Sequence, residues 1–403
     1  MQTKISKQYQ AIPEFKIADK ILRSCVHCGF CTATCPTYQL LGNELDSPRG
    51  RIYLIKQVLE GNKITHKTQL HLDRCLTCRA CETICPSGVQ YGHLLDIGRK
   101  YVSKKINRPL LINLKIKVLL AILPYPKRFS VFFKIACYFS FLLPIHLKQK
   151  IPEKIKKLTE KVNHQRKMLL LTGCVQPTLA PRINAATIQL FDKLDIELIE
   201  TIETKCCGAV THHLSEEHKT LTTLKTNIDK WWPSIQSGIE AIIVNASGCS
   251  VMVKDYGFIL QSDPDYAEKA RVISSLCKDI CEVLQDSNLQ PFKINAHTRI
   301  AFHAPCTLQH GMKLNSVVEN ILENSGYQLT TIKDKHLCCG SAGTYSILQS
   351  ELSNKLVNNK IKNIEADYPE LIVTANIGCL HHLQSKTTLK VKHWVELFYD
   401  DLN

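Results

Sequence analysis

Nineteen of the 403 residues are cysteines, and eight of them form two copies of one spacing: Cys25-x2-Cys28-x2-Cys31-x3-Cys35-Pro36 and Cys75-x2-Cys78-x2-Cys81-x3-Cys85-Pro86. In a Cys-x2-Cys-x2-Cys stretch three thiolates wrap one face of a cubane cluster. The fourth cysteine, held by a rigid Cys-Pro turn, points away and ligates the cluster of the other run. The spacing therefore predicts crossed ligation, with Cys25, Cys28, Cys31 and Cys85 on one 4Fe-4S cluster and Cys35, Cys75, Cys78 and Cys81 on a second. Two zinc knuckles are the other thiol-rich reading, but zinc sites usually pair their ligands across longer loops. Clusters that share ligands in this way lie close together, which suits the passage of single electrons from a donor to an acceptor.

Helices must position these runs. Between them, Ser47 stands as an N-cap before Pro48 at the first helical position of a stretch reaching Leu59, and a second helical stretch, Tyr91 to Lys105, follows the second run. Residues 1–105 thus resemble the helical two-cluster domain of succinate dehydrogenase iron-sulfur subunits and not the compact β-rich ferredoxin.

A second group of cysteines is duplicated. Cys174, Cys206, Cys207 and Cys249 recur as Cys306, Cys338, Cys339 and Cys379, at offsets of 132, 132, 132 and 130 residues, which predicts a repeated domain over 167–290 and 291–403. In each copy short aliphatic runs alternate with helical patterns. The runs are Met168–Thr172 and Ala241–Asn245 in the first copy, and Arg299–Phe302 and Glu370–Thr374 in the second. This alternation implies a parallel α/β sheet per copy. Cys174, Cys249, Cys306 and Cys379 then fall just past strand ends, at the carboxyl edge where open α/β sheets place their sites. A metal site, a non-cubane cluster or a redox-active thiol site fits the recurrence of all four positions better than packing at tight turns. His303, His336, His381 and His382 lie near the second set and are read as structural, and Cys137, Cys277 and Cys281 as apolar fillers.

Composition bounds the rest. With 44% apolar and 22% charged residues the chain is globular, neither disordered nor fibrous. No G-x-G-x-x-G opens a βαβ unit, so flavin and substrate are expected on partner chains. The N-terminus shows no secretory h-region, which predicts a reducing cytoplasmic setting where clustered cysteines are ligands and not disulfides. The formal charge of +15 is local: from Tyr101 to Lys167 there are sixteen Lys or Arg against Glu153 and Glu160. Inside this linker, residues 106–166, the apolar run Phe129–Leu147 is interrupted by Lys134 and Pro144, so no spanning helix is expected. Two readings remain open: amphipathic helices on an anionic membrane or a partner, or core helices joining two domains. Nucleic acid is not expected, since no binding motif accompanies the charge.

These residues carry a family likeness. Two helical-type cluster runs followed by two domains with Cys-Cys-Gly cores resemble the iron-sulfur subunits of flavin-dependent dehydrogenases, including the anaerobic glycerol-3-phosphate, lactate-utilisation and heterodisulfide reductase types. His303-Ala-Pro-Cys-Thr-Leu-Gln-His310, Cys338-Cys-Gly-Ser-Ala-Gly-Thr-Tyr345, Thr374-Ala-Asn-Ile-Gly-Cys379 and His393-Trp-Val-Glu-Leu397 resemble the glycolate oxidase (glycolate dehydrogenase) iron-sulfur subunit family over essentially the whole chain. The resemblance implies an α+β multidomain protein, a helical two-cluster ferredoxin domain followed by duplicated α/β cysteine-rich domains. It also implies flavoprotein partners that oxidise glycolate to glyoxylate, and an onward path to the quinone pool at the cytoplasmic face of the inner membrane. Heterodisulfide reductase-like sequences place a further cysteine just after the last one. Here Cys249 is followed by Ser-Val-Met and Cys379 by Leu-His-His, so two conventional clusters are expected.

Overall fold

The structure, a computed structural model, describes residues 1–139, 164–200, 206–288 and 298–400. Helices α1 (Pro13–Ser24), α2 (Pro36–Leu41), α3 (Pro48–Leu59), α4 (His66–Asp73) and α5 (Tyr91–Lys105) build the N-terminal domain. Their apolar residues recur at helical spacing: α1 buries Phe15, Ala18, Ile21 and Leu22 against Leu94, Leu95 and Val102 of α5. The expected cap is present, with the Ser47 hydroxyl accepting from the Gly50 N–H at 2.9 Å, a contact that satisfies one of the free donors at the helix start. Helices α3 and α5 meet at Gly98, where an added Cβ would stand 2.7 Å from Ile55 Cγ1.

The basic segment continues as α6 (Leu110–Ile122) and α7 (Pro126–Tyr138). Helix α6 buries only Ile116 and Leu120, against Leu214, and α7 buries nothing. Of the eighteen exposed large apolar side chains among the described residues, ten lie between Leu110 and Phe139, so the pair forms a surface and the core-helix reading fails for it. Cys137, expected as an apolar filler, lies on α7 and is not core either, whereas Cys277 and Cys281 are fully buried. No helix among the described residues is long and apolar enough to cross a membrane. The rest of the basic linker and of the apolar run, 140–163, lies outside the described residues.

Two matching sheets follow. The first comprises β1 (Arg166–Leu171), β2 (Ile196–Glu200), β3 (Ile242–Val244) and β4 (Cys277–Asp279) in the order β2-β1-β3-β4. The second comprises β5 (Arg299–His303), β6 (Gln328–Leu329), β7 (Leu371–Thr374) and β8 (Lys390–His393) in the order β6-β5-β7-β8. Every pairing is parallel. Strands covered on both faces need continuous apolar runs, and Met168–Leu171 and Ile242–Val244 supply them.

The connecting helices are α8 (Pro181–Asp192), α9 (Ala209–His213), α10 (Glu217–Gln236), α11 (Ser247–Lys254) and α12 (Ile280–Leu284) in the first copy. In the second they are α13 (Val317–Asn324), α14 (Ser350–Glu365), α15 (Ile377–Gln384) and α16 (Val395–Asp400). The copies pack by a pseudo-twofold arrangement: α8 lies on α16, and their counterparts α13 and α12 lie on each other. Leu190, Phe191, Leu284, Leu322, Trp394 and Phe398 form one core across this junction. The last helix of each copy starts alike, with the Asp279 and His393 N–H groups donating to Glu282 and Glu396 at 2.8 Å.

Candidate metal centres

Both cysteine runs bend at the same two places. His27 and Gly29 in the first (φ 56° and 87°), and Thr77 and Arg79 in the second (φ 53° and 57°), take left-handed backbone. Alternating handedness turns successive N–H groups inward and makes a nest for an anionic group. Three of the four residues are not glycine, at a cost of roughly 1 kcal/mol each, which a bound anion repays.

Cys25, Cys28, Cys31 and Cys85 line one cavity, and Cys35, Cys75, Cys78 and Cys81 line its neighbour. Each run therefore sends its fourth cysteine to the other run's cavity. Cys81 and Tyr91 stand on the wall common to both. Burial, with Cys25 alongside, pushes the Cys31 thiol up to about 11, and burial moves Cys78 and Cys81 far upward. These thiols keep their protons until a metal displaces them, so the donor set fits iron-sulfur clusters: four soft ligands per cavity inside a donor-rich cradle.

The two cavities differ in their surroundings. Around the second, the Thr77 N–H reaches Cys75 Sγ at 3.4 Å and the Tyr91 hydroxyl reaches it at 3.5 Å. The buried Arg51 guanidinium lies 3.9 Å from Cys35 Sγ and 3.1 Å from Thr37 Oγ1. Its carboxylate partner Asp46, wholly buried, also bonds His71 and Arg74, each at 3.0 Å. The first cavity is open: Cys28 is exposed, and Val26, Phe30 and Ile84 beside it are 66%, 60% and 46% exposed.

In the repeats the four thiols form one chain of contacts in each copy. Cys174 touches Cys206, Cys206 touches Cys207 and Cys207 touches Cys249. In the second copy Cys306 and Cys338 stand 3.7 Å apart between sulfurs, Cys338 touches Cys339, and Cys339 and Cys379 stand 3.5 Å apart. Gly208 and Gly340, at φ 94° and 90°, each donate their N–H at 3.4 Å to the first sulfur of the pair. A Cβ at Gly340 would lie 2.9 Å from the Ser353 carbonyl oxygen, so only glycine closes the turn. Cys249 and Cys379 sit in the first turns of α11 and α15. Ligand sulfurs around one tetrahedral metal stand about 3.8 Å apart, close to the spacings found here. His303 and His382 are taken up by the hydroxyls of Thr374 and Ser353 at 3.1 and 3.0 Å.

The two kinds of site touch. Cys78 lies close enough to Cys306 and Cys338 for their charges to be felt mutually, and all three pack with Leu76 and Tyr345. Around this junction Arg79 pairs with Asp255, the His93 ring stacks on Phe258 at 3.6 Å, and the Thr83 hydroxyl donates to His310 Nδ1 at 3.0 Å. His310 Nε2 donates in turn to the His336 carbonyl at 2.9 Å. Against burial, which pushes it up, the His93 hydrogen bond and the Arg79 charge hold the Asp255 carboxyl below its usual range. Sequence reading missed Arg51, Asp46 and Arg79, which carry no local motif, and it gave Tyr345, the end of the Cys338 motif, no role.

A helical domain with paired four-thiol cavities, joined to a duplicated cysteine-rich fold, defines an iron-sulfur protein. Residues 21–89 match the 4Fe-4S dicluster domain family, and residues 168–254 and 300–384 match the cysteine-rich domain family. The chain belongs to the family of glycolate oxidase iron-sulfur subunits: it is 50% identical over 399 residues to the glycolate oxidase iron-sulfur subunit of Escherichia coli (strain K12), covering 98% of each. It is 29% identical to the "Probable glycolate oxidase iron-sulfur subunit" of Bacillus subtilis (strain 168), over 93% of this chain and 91% of that one. Lactate utilization protein A of the same organism is 23% identical over 56% of this chain and 94% of its own length. A crystal structure of a hypothetical protein from Helicobacter pylori shares the fold, with a TM-score of 0.54 at 9% identity, over 98% of this chain and 73% of that one.

Proposed function

We propose that this chain is the electron-relay subunit of a flavin-dependent glycolate dehydrogenase, inactive by itself, which takes electrons from flavoprotein partners that oxidise glycolate to glyoxylate and delivers them towards the quinone pool. The observation that carries this reading is the pair of four-thiol cavities that share the wall of Pro48, Cys81 and Tyr91; the substrate rests on the relatives. Cys25, Cys28, Cys31 and Cys85 would hold one 4Fe-4S cluster, and Cys35, Cys75, Cys78 and Cys81 the other. Bound there, the clusters supply one-electron carriers at close range.

The chain's own residues set the conditions. Thr77 and Tyr91 donate hydrogen bonds to Cys75, and Arg51 places a fixed cation beside Cys35. Val26, Phe30 and Ile84 offer the donor subunit an apolar face at the exposed Cys28. Residues 1–105 act as the relay domain, 106–166 as the linker and 167–290 and 291–403 as the paired cysteine-rich domains, with α6 and α7 making peripheral contact with the cytoplasmic face of the inner membrane. A second reading, a thiol or metal site that reduces a disulfide or quinone directly, is favoured by the converging sulfurs of Cys306, Cys338, Cys339 and Cys379.

The test is anaerobic purification through a tag on this chain, followed by addition of glycolate, D-lactate, L-lactate or glycerol 3-phosphate with spectra of the clusters. Reduction by glycolate with a co-purifying flavoprotein is the expected result. Reduction by lactate or glycerol 3-phosphate alone would move the chain to those dehydrogenases, and reduction by none would overturn the relay reading.

A further inference from the structure

We infer that the cavity between α4, the foot of α6 and both cysteine-rich domains binds the ring of a lipid-soluble quinone, with the Tyr345 hydroxyl donating to a ring carbonyl. The inference rests on the electron-relay reading and names the place where electrons leave. The cavity holds about 310 Å³, within the range of small-molecule sites. Its walls are chiefly apolar, from Leu76, Ile116, Leu214 and Leu348, and Cys75 belongs both to this wall and to the cavity of Cys35, Cys78 and Cys81. A ring seated here therefore lies against a cluster ligand.

Two further observations select the ligand. Tyr345, 7% exposed, lines the cavity, and its hydroxyl is buried with no hydrogen-bond partner among the described residues. A buried donor left unpaired costs about 1–3 kcal/mol, and a carbonyl acceptor removes that cost. Ile112 and Pro109 of the cavity wall belong to the segment whose outer face exposes Leu110, Leu111, Leu114 and Val118 beside Lys115 and Lys117. Apolar side chains flanked by cations suit an anionic lipid surface, so the approach to the cavity is one a membrane-borne molecule can take. Reduction consumes two electrons, delivered singly from the hydroxy acid through the relay, and two protons from water, which reaches the lining at the exposed His66. Each ring C=O becomes C–OH.

The experiment uses the cluster-loaded complex reduced with dithionite, so that it does not depend on the natural donor. Heptyl-hydroxyquinoline N-oxide, a redox-inert quinone mimic, should change the electron paramagnetic resonance of the reduced clusters. Leu348→Trp and Ile116→Trp, which fill the cavity, should abolish that change while both variants retain their cluster signals, and Tyr345→Phe should weaken binding about tenfold. Decyl-benzoquinone should bind at least about tenfold more tightly than benzoquinone without a tail. An unchanged response in both tryptophan variants, or none in the native complex, overturns the site, and equal binding of the two quinones overturns the lipid-borne ligand. If the mimic binds as stated but no hydroxy acid reduces the clusters, the relay reading falls and the site stands.

Discussion

Cys78 and Cys338 lie in different domains yet pack into one cluster with Leu76 and Tyr345, with Cys306 3.7 Å from Cys338 completing the junction. Among the described residues no ferredoxin-type cysteine is found in the same relation to Cys174, Cys206, Cys207 and Cys249. The duplicated thiol sets are thus alike within themselves and unlike in their surroundings.

That difference can be measured. Cys338→Ser should shift the paramagnetic resonance or the midpoint potential of the cluster proposed for the Cys78 cavity, whereas Cys206→Ser should leave both where they are. Equal effects from the two substitutions would mean that the contact at Cys78 is without electronic consequence.

Crossed ligation makes an opposite forecast from uncrossed ligation for a single residue. Cys85→Ser should perturb or remove the cluster of the Cys25, Cys28 and Cys31 cavity and spare the other. Loss of the cluster beside Arg51 instead, read from the spectrum that survives, would show that each run keeps its own fourth cysteine.

Reduction adds negative charge beside Arg51, whose guanidinium is buried 3.9 Å from Cys35 Sγ. A fixed cation in a poorly screened site favours the reduced state. Arg51→Gln should therefore lower the midpoint potential of the neighbouring cluster in a redox titration, and Arg51→Lys should recover part of the loss. An unchanged or raised potential would show that Asp46 cancels the charge.

Acid should weaken the fold through His303 and His393, which burial pushes down to about 3 from 6.5. Between those values the unfolded chain binds more protons, so their stabilising effect is complete above about 6.5 and is lost as pH falls. Asp279 has the opposite sign: burial pushes it up to about 6, so stability falls as pH rises from about 4 to 6. Melting temperatures between pH 5 and 7.5 should fall less steeply towards acid in His393→Gln than in the native protein. Asp279→Asn should raise the melting temperature more at pH 7 than at pH 5. Parallel profiles for variant and native protein would contradict both assignments.

If α6 touches lipid, Leu111→Glu combined with Lys115→Glu should reduce sedimentation with anionic vesicles, since one change removes apolar burial and both oppose the surface charge. Neutral vesicles should bind more weakly throughout. Undiminished binding by the double variant would place the lipid contact elsewhere.

The sequence made legible whatever is local or periodic. The Cys-x2-Cys-x2-Cys runs, the Ser47 cap, helix α5 and the repeat at offsets near 132 residues are each encoded within a few residues of themselves. The Cys-Pro turns likewise carry the expectation of crossed ligation, which the Cys85→Ser experiment tests. The roles of Arg51, Asp46 and Tyr345 could not be seen. Asp46 acquires its meaning from His71 and Arg74, more than twenty residues away, and Tyr345 from a cavity built by the N-terminal domain, α6 and both cysteine-rich domains. The exposure of α6 and α7 was likewise unreadable, since their apolar content fits burial as well as a surface.

The wall of Cys81 and Tyr91 that separates the two cavities has an electrical consequence. With buried side chains and no bulk water between them, two nearby charge reservoirs behave as the plates of a small capacitor. Each electron stored on one side raises the energy of the next on the other. Loaded with two clusters, such a domain would fill in steps, and a donor that releases electrons in pairs would wait for the first to depart before the second could follow.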